Sequence, residues 1–150
     1  MQIVNKLWGY EQILVNNDKY CAKLLHLHPR WECSLHYHPI KKETFICVEG
    51  QVDIDLEVGG LIRQQPLRLG QQLTIKPGTA HRFRAANDEF AVLLEISSTH
   101  SDEDVVRIQE SRPSGYKALE DLPAQCKHDS AEYGHEYANM ILNWRADGQR

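Results

Sequence analysis

The stretch Val52-Asp53-Ile54-Asp55-Leu56-Glu57-Val58 alternates apolar and acidic residues without a fault. Only a strand has a side-chain period of two, so the aliphatic residues line one face and the carboxylates the other. Gly59-Gly60 follows directly, a pair suited to a two-residue hairpin, and Leu61 to Gln64 runs back. The same grammar governs most of the chain. Between residues 3 and 98, short runs of β-formers are broken by Asn16-Asn17-Asp18, Pro29-Arg30, Gly50, Gly70, Pro77-Gly78 and Asn87-Asp88. About nine short strands are expected there, with no helix, and such spacing predicts an all-β antiparallel sandwich or barrel.

Past Thr99 the pattern changes. Ser101-Asp102-Glu103-Asp104 is acidic and suits the start of a helical turn, and Ser111 to Gly115 is irregular. Tyr133, Tyr137, Met140, Ile141 and Trp144 fall three or four residues apart, which predicts a C-terminal helix over 130–144. A chain of 150 residues suits one sizeable core. One domain is therefore expected over residues 1–150, with a barrel core at about 12–98 and a tail carrying a short helical segment at 99–150.

One stretch carries chemistry. His36 and His38 stand at i and i+2 of a strand, so both rings share a face, and a bend at Pro39 can bring Glu43 back toward them. His81, after the Pro77-Gly78 turn, offers a third imidazole from another strand. Neutral nitrogens with one hard oxygen suit a divalent transition metal with open positions. Alternating histidines alone are common on strands; the four residues at these offsets, among short strands, are much more specific.

Composition excludes several classes. A net charge of −4 and a pI near 6.0 disfavour binding to nucleic acid or an anionic membrane. No apolar run is long enough to span a bilayer, and the N-terminus lacks the basic start and apolar run of a signal peptide. A cytoplasmic location is expected, with Cys21, Cys33, Cys47 and Cys126 as reduced thiols.

The run His36-x-His38, then Glu43, then Gly50 resembles the first motif of the cupin superfamily, and Gly70, Pro77-Gly78 and His81 resemble its second. Arg30 stands where that pattern has a glycine, and Asn87 lies two positions late. Lys6-x-Trp8-Gly9-x-Glu11, Tyr20-Cys21-x-Lys23-x-Leu25, Ser34-Leu35-x-x-His38, His81-Arg82 and Glu103-Asp104-x-Val106-Arg107 further resemble type II mannose-6-phosphate isomerases. That group often has Gln at the position of His36, which is closer to the HxH of cupin isomerases acting on lyxose. The resemblance implies a jelly-roll double-stranded β-helix, and one divalent ion (Zn, Mn, Fe, Co or Ni) on His36, His38, Glu43 and His81. It also implies a homodimer that isomerises an aldose and a ketose, as sugar or sugar phosphate, through an enediolate. Three His and one Glu also bind Fe for oxygen chemistry, so a cupin dioxygenase is the alternative enzyme, and a non-catalytic sugar-binding cupin the alternative outside enzymes.

Proton transfer between adjacent carbons needs a base. Parity on the last strand sets Ala91, Leu93, Glu95 and Ser97 on the more polar side, so Glu95 is the candidate general acid/base. Lys23, sharing a face with Cys21, Leu25 and Leu27, is the second catalytic candidate. Arg107 and Arg112 are candidates for binding substrate, including a phosphate. Lys41, Lys42, Arg82 and Arg84 are read as solvent or rim residues, and Trp8 as packing at the barrel's edge.

Overall fold

The computed structural model describes residues 2–114, which form 13 strands in two antiparallel sheets and contain no helix. The first sheet joins β1 (Gln2–Lys6), β2 (Gly9–Asn16), β3 (Cys21–Leu27), β11 (Ala91–Ser97), β6 (Glu43–Glu49) and β9 (Gln72–Ile75), in that order. In the second, β10 (His81–Ala85) is central. One of its edges takes β7 (Gln51–Val58), which carries β8 (Leu61–Arg68). The other takes β4 (Trp31–Glu32) and β5 (Leu35–Tyr37), flanked by β13 (Arg112–Pro113) and β12 (Val106–Gln109).

The alternation at Val52–Val58 becomes β7, and the Gly59-Gly60 turn pairs Val58 with Leu61. Inward-facing residues then sort along each strand. At one end Leu25, Leu27, Cys47, Phe83, Ala91 and Leu93 pack with Trp8, Phe45, Val52 and Ile54 into one apolar core. Phe83 meets Trp8 edge-on with centroids 5.0 Å apart, and Phe45 at 5.7 Å. Toward the other end the same faces carry Lys23, Glu43, Glu95, Ser97 and His81, all buried. Antiparallel register assembles this polar end: Glu95 opposes Lys23 and Phe45, while Ser97 opposes Glu43. The barrel is thus apolar at one end and holds its functional groups at the other.

The sheets reach beyond the expected core of 12–98. Before that core, β1 and β2 form a hairpin about Leu7-Trp8. Gly9 sits at φ +142°, and a Cβ there would lie 1.8 Å from the carbonyl oxygen of His26, so this strand approach admits glycine only. β12 and β13 complete the second sheet, and Ser101–Asp104 is a plain turn with no helix. Arg30, which stands where the cupin pattern has a glycine, has φ 65°, in the left-handed region that favours glycine. The helix expected over 130–144 lies outside the described residues.

Candidate metal centre

His36 lies on β5, His38 just past its end, and His81 begins β10, directly opposite His36 in register. One ligand atom from each ring falls within 4.8 Å of the others. The rings are held by their far nitrogens. His36 Nδ1 bonds the Ser34 carbonyl at 2.8 Å, His81 Nδ1 the Thr79 carbonyl at 2.9 Å, and His38 Nδ1 the Asp104 carbonyl. A carbonyl oxygen only accepts, so each Nδ1 carries the proton and each Nε2 is left as a lone pair. Burial first, and the neighbouring His81 second, push His36 down to about 3, and burial also lowers His38. Both rings are therefore neutral ligands at ordinary pH.

Glu43 opens β6 and closes the group. Its Oε2 lies 3.1 Å from His81 Nε2, and its Oε1 lies 3.6 Å from His38 Nε2. Neither Glu43 Oε2 nor His81 Nε2 has a hydrogen-bond partner, though both are buried. A carboxylate oxygen facing a ring lone pair is repulsive unless a cation lies between them, so the donor set fits a divalent ion. Burial raises the Glu43 carboxyl, but its polar and charged neighbours, the Lys41 amine among them, outweigh that and hold the group ionised, well below the usual carboxylate range.

Lys41 extends the site. Its Nζ lies 2.6 Å from Glu43 Oε1 and 3.1 Å from Glu95 Oε1, and the residue is only 4% exposed. Ser97 Oγ–H donates to the same Glu95 oxygen at 3.0 Å. Burial lowers the Lys41 pKa, but Glu95 and Glu43 raise it further, so the amine stays charged. Beside them Lys23 Nζ meets Glu11 Oε2 at 3.1 Å, and Lys6 approaches the other Glu11 oxygen at 3.6 Å. Lys41, Glu43, Glu95, Lys23, Glu11 and Lys6 line a cavity of about 280 Å³, walled also by Trp8, Phe45, Phe83, His100 and Arg107.

The structure therefore brings His36, His38, Glu43, Glu95 and Lys23 to one cavity, with Arg107 exposed on its wall and His81 buried behind Glu43. It separates Arg112 from them. That residue is buried and its Nε donates to Glu32 Oε1 at 2.6 Å, away from the cavity lining. Glu32 and Asp55 also take Arg82 and Arg84, so these two arginines are ion-paired on the outer face of the sheet and are not rim residues. Lys41 is likewise not a solvent residue. Its signal was its place two residues before Glu43, which opens β6. Trp8 packs in the core and also lines the cavity.

A family model described as "Cupin domain" matches residues 23–97. The chain is 38% identical over 116 residues to a D-lyxose ketol-isomerase of a Thermofilum species, covering 61% of this chain and 63% of that one. It is 36% identical over 117 residues to a D-lyxose/D-mannose isomerase of Thermosediminibacter oceani, covering 61% and 62%. The chain thus spans less than two thirds of the length of these relatives. Among solved structures, oxalate decarboxylase from Bacillus subtilis superposes with a TM-score of 0.64 at 16% identity, over 71% of this chain and 30% of that one, a likeness of fold. Among the described residues no helix is long and apolar enough to cross a membrane.

Proposed function

The chain belongs to the cupin family, and from that premise we propose that it is a metal-dependent aldose–ketose isomerase acting on a small unphosphorylated sugar. The observation that carries this reading is the buried chain Glu43–Lys41–Glu95, which sets a second carboxylate one lysine away from the candidate metal donors. Likeness to the lyxose and mannose isomerases supports it. So does the cavity, whose volume of about 280 Å³ suits a monosaccharide.

His36, His38, His81 and Glu43 would hold a divalent ion, which when bound would supply an electrophile for the sugar's carbonyl and hydroxyl oxygens. Glu95 moves the proton between the two adjacent carbons. Lys41 and Ser97 both donate to Glu95 Oε1, which leaves Oε2 as the oxygen that takes and returns the proton. Lys23 is held by Glu11 at the cavity wall and donates to a sugar oxygen. Trp8, Phe45 and Phe83 exclude water from the inner side.

The cavity wall argues against a phosphate. Arg112 is committed to Glu32, and Arg107 and Lys6 share the lining with Glu110, Asp102 and Glu11. Among the described residues of this lining no uncompensated positive cluster remains for a dianion. The test is a panel of aldoses, including D-lyxose and D-mannose with their phosphate esters, offered to metal-stripped protein with Mn²⁺ or Co²⁺ restored. Conversion of a free aldose to its ketose, with solvent deuterium entering the product carbon, is expected. Turnover of the phosphate esters alone would remove the substrate assignment, and no turnover of any aldose would remove the activity.

A further inference from the structure

Asp104 lies between β11 and β12, outside the cavity lining, and no part of the proposed chemistry uses it. Yet three groups of the distant segment 38–41 converge on it. The backbone N–H of Ile40 donates to Asp104 Oδ1 at 2.9 Å, and that of Lys41 to Oδ2 at 2.8 Å. His38 Nδ1–H donates to the Asp104 carbonyl. We propose that Asp104 is a positioning residue for the metal centre, an inference that rests on the metal-centre reading above.

The physical need is local. Between His38 and Glu43 the chain must reverse so that both side chains reach one point. Pro39 has no N–H, so Ile40 and Lys41 are the first donors available to hold the bend. Both land on one carboxylate, which accepts two charge-assisted bonds where a neutral group would accept them less strongly. The carbonyl of the same residue fixes the His38 tautomer and aims its Nε2 inward. The opposite side of the segment is tied as well: Gly78 N–H donates to the His38 carbonyl at 2.8 Å, and Ser98 N–H to the Lys42 carbonyl at 3.0 Å. Asp104 therefore braces His38, Lys41 and, through the bend, Glu43 at once.

The test uses the full chain with Asp104→Ala and Asp104→Asn, titrated with Co²⁺ and followed by visible absorbance, together with amide hydrogen exchange of the metal-free proteins. The Ala variant is expected to bind Co²⁺ about tenfold more weakly or worse. The Asn variant should fall between, because its amide oxygen replaces one acceptor. Ile40 and Lys41 amides should exchange faster in both variants while β3 and β11 amides keep their protection. Wild-type protein that binds Co²⁺ beside a variant that binds within twofold of it overturns this inference alone, and if Asp104→Ala does not fold, Asp104→Asn decides. Weakened binding with equal loss of protection in β3 and β11 also overturns it, as general destabilisation. Wild-type protein that binds no Co²⁺ overturns the metal-centre reading and this inference with it.

Discussion

His81 Nε2 lies 3.1 Å from Glu43 Oε2, both atoms buried and neither hydrogen-bonded. The contact joins the first residue of β10 to the first residue of β6, strands from different sheets. A cation bound there ties the two sheets together at the polar end of the barrel.

Ion removal should therefore loosen the fold. A ligand that binds only the native state at about 100 times its Kd stabilises it by about 2.7 kcal/mol. Chelator-treated protein is expected to melt several degrees lower and to recover on adding Mn²⁺ or Co²⁺. His81→Ala should abolish the ion-dependent shift. Scanning calorimetry of both proteins, with and without ion, checks this; equal shifts in both would remove His81 from the donor set.

Glu95→Gln keeps size and hydrogen bonding but cannot take a proton. Turnover of a responsive sugar should fall by about 10²- to 10⁴-fold, with metal content unchanged. Steady-state rates beside elemental analysis of the same preparation make the comparison. Near-normal turnover would sink the role of Glu95 as the base.

Lys41→Met leaves Glu43 and Glu95 facing each other without the cation between them. Losing one member of a buried charge group costs about 3–5 kcal/mol, so a large drop in denaturant midpoint is expected, together with loss of turnover. Urea unfolding measures the first and rates of the surviving fraction the second. A midpoint close to wild type would show that the amine is dispensable to the fold.

Arg112→Met should destabilise by less, about 1.5–3 kcal/mol, because it removes a buried 2.6 Å bond to Glu32 while Arg82 and Arg84 still face that carboxylate. KM for sugar should stay within about twofold, since Arg112 does not line the cavity. Urea unfolding together with a saturation curve separates the two roles. A raised KM with unchanged stability would restore Arg112 as a substrate ligand.

Asp55 gives the pH dependence. Burial raises its carboxyl, but the Arg84 and Arg82 hydrogen bonds outweigh that and hold it below its ordinary 3.8. A lowered folded pKa contributes stability above the unfolded value, and that stability is lost as pH falls through the folded one. Asp55→Asn should therefore melt below wild type at pH 7, and the gap should narrow as pH drops below about 4. Melting curves between pH 7 and 3 read the gap directly; a gap independent of pH would assign it to packing.

Much of this protein is legible in its sequence because strand periodicity is local. Alternation at Val52–Val58 fixes β7, and the i, i+2 spacing of His36 and His38 puts both rings on one face whatever surrounds them. Parity likewise sets Glu95 on the inner side of β11, where it lines the cavity. Arg30, which breaks the glycine pattern, still occupies a left-handed conformation that favours glycine.

Parity names the face but not the neighbour. Lys41 has the same parity as Glu43, yet only the register of β6 against β11 sets Glu95 within reach of its amine, and that carboxylate makes burial of the lysine tolerable. Arg112, a plausible anion ligand from sequence, is withdrawn because β13 lies against β4 and meets Glu32 there. Asp104 is an ordinary acidic turn residue until β12 pairs with β5 and brings its oxygens to the Ile40 and Lys41 amides. The sequence by itself determined the all-β class, the faces of strands such as β7 and β11, and the candidate metal donors, since each follows from backbone geometry over a few residues. Which charges meet, and so which act and which only hold the fold, was decided by pairing between strands far apart in the chain, because only that register sets the ångström-scale distances on which ion pairs and coordination depend.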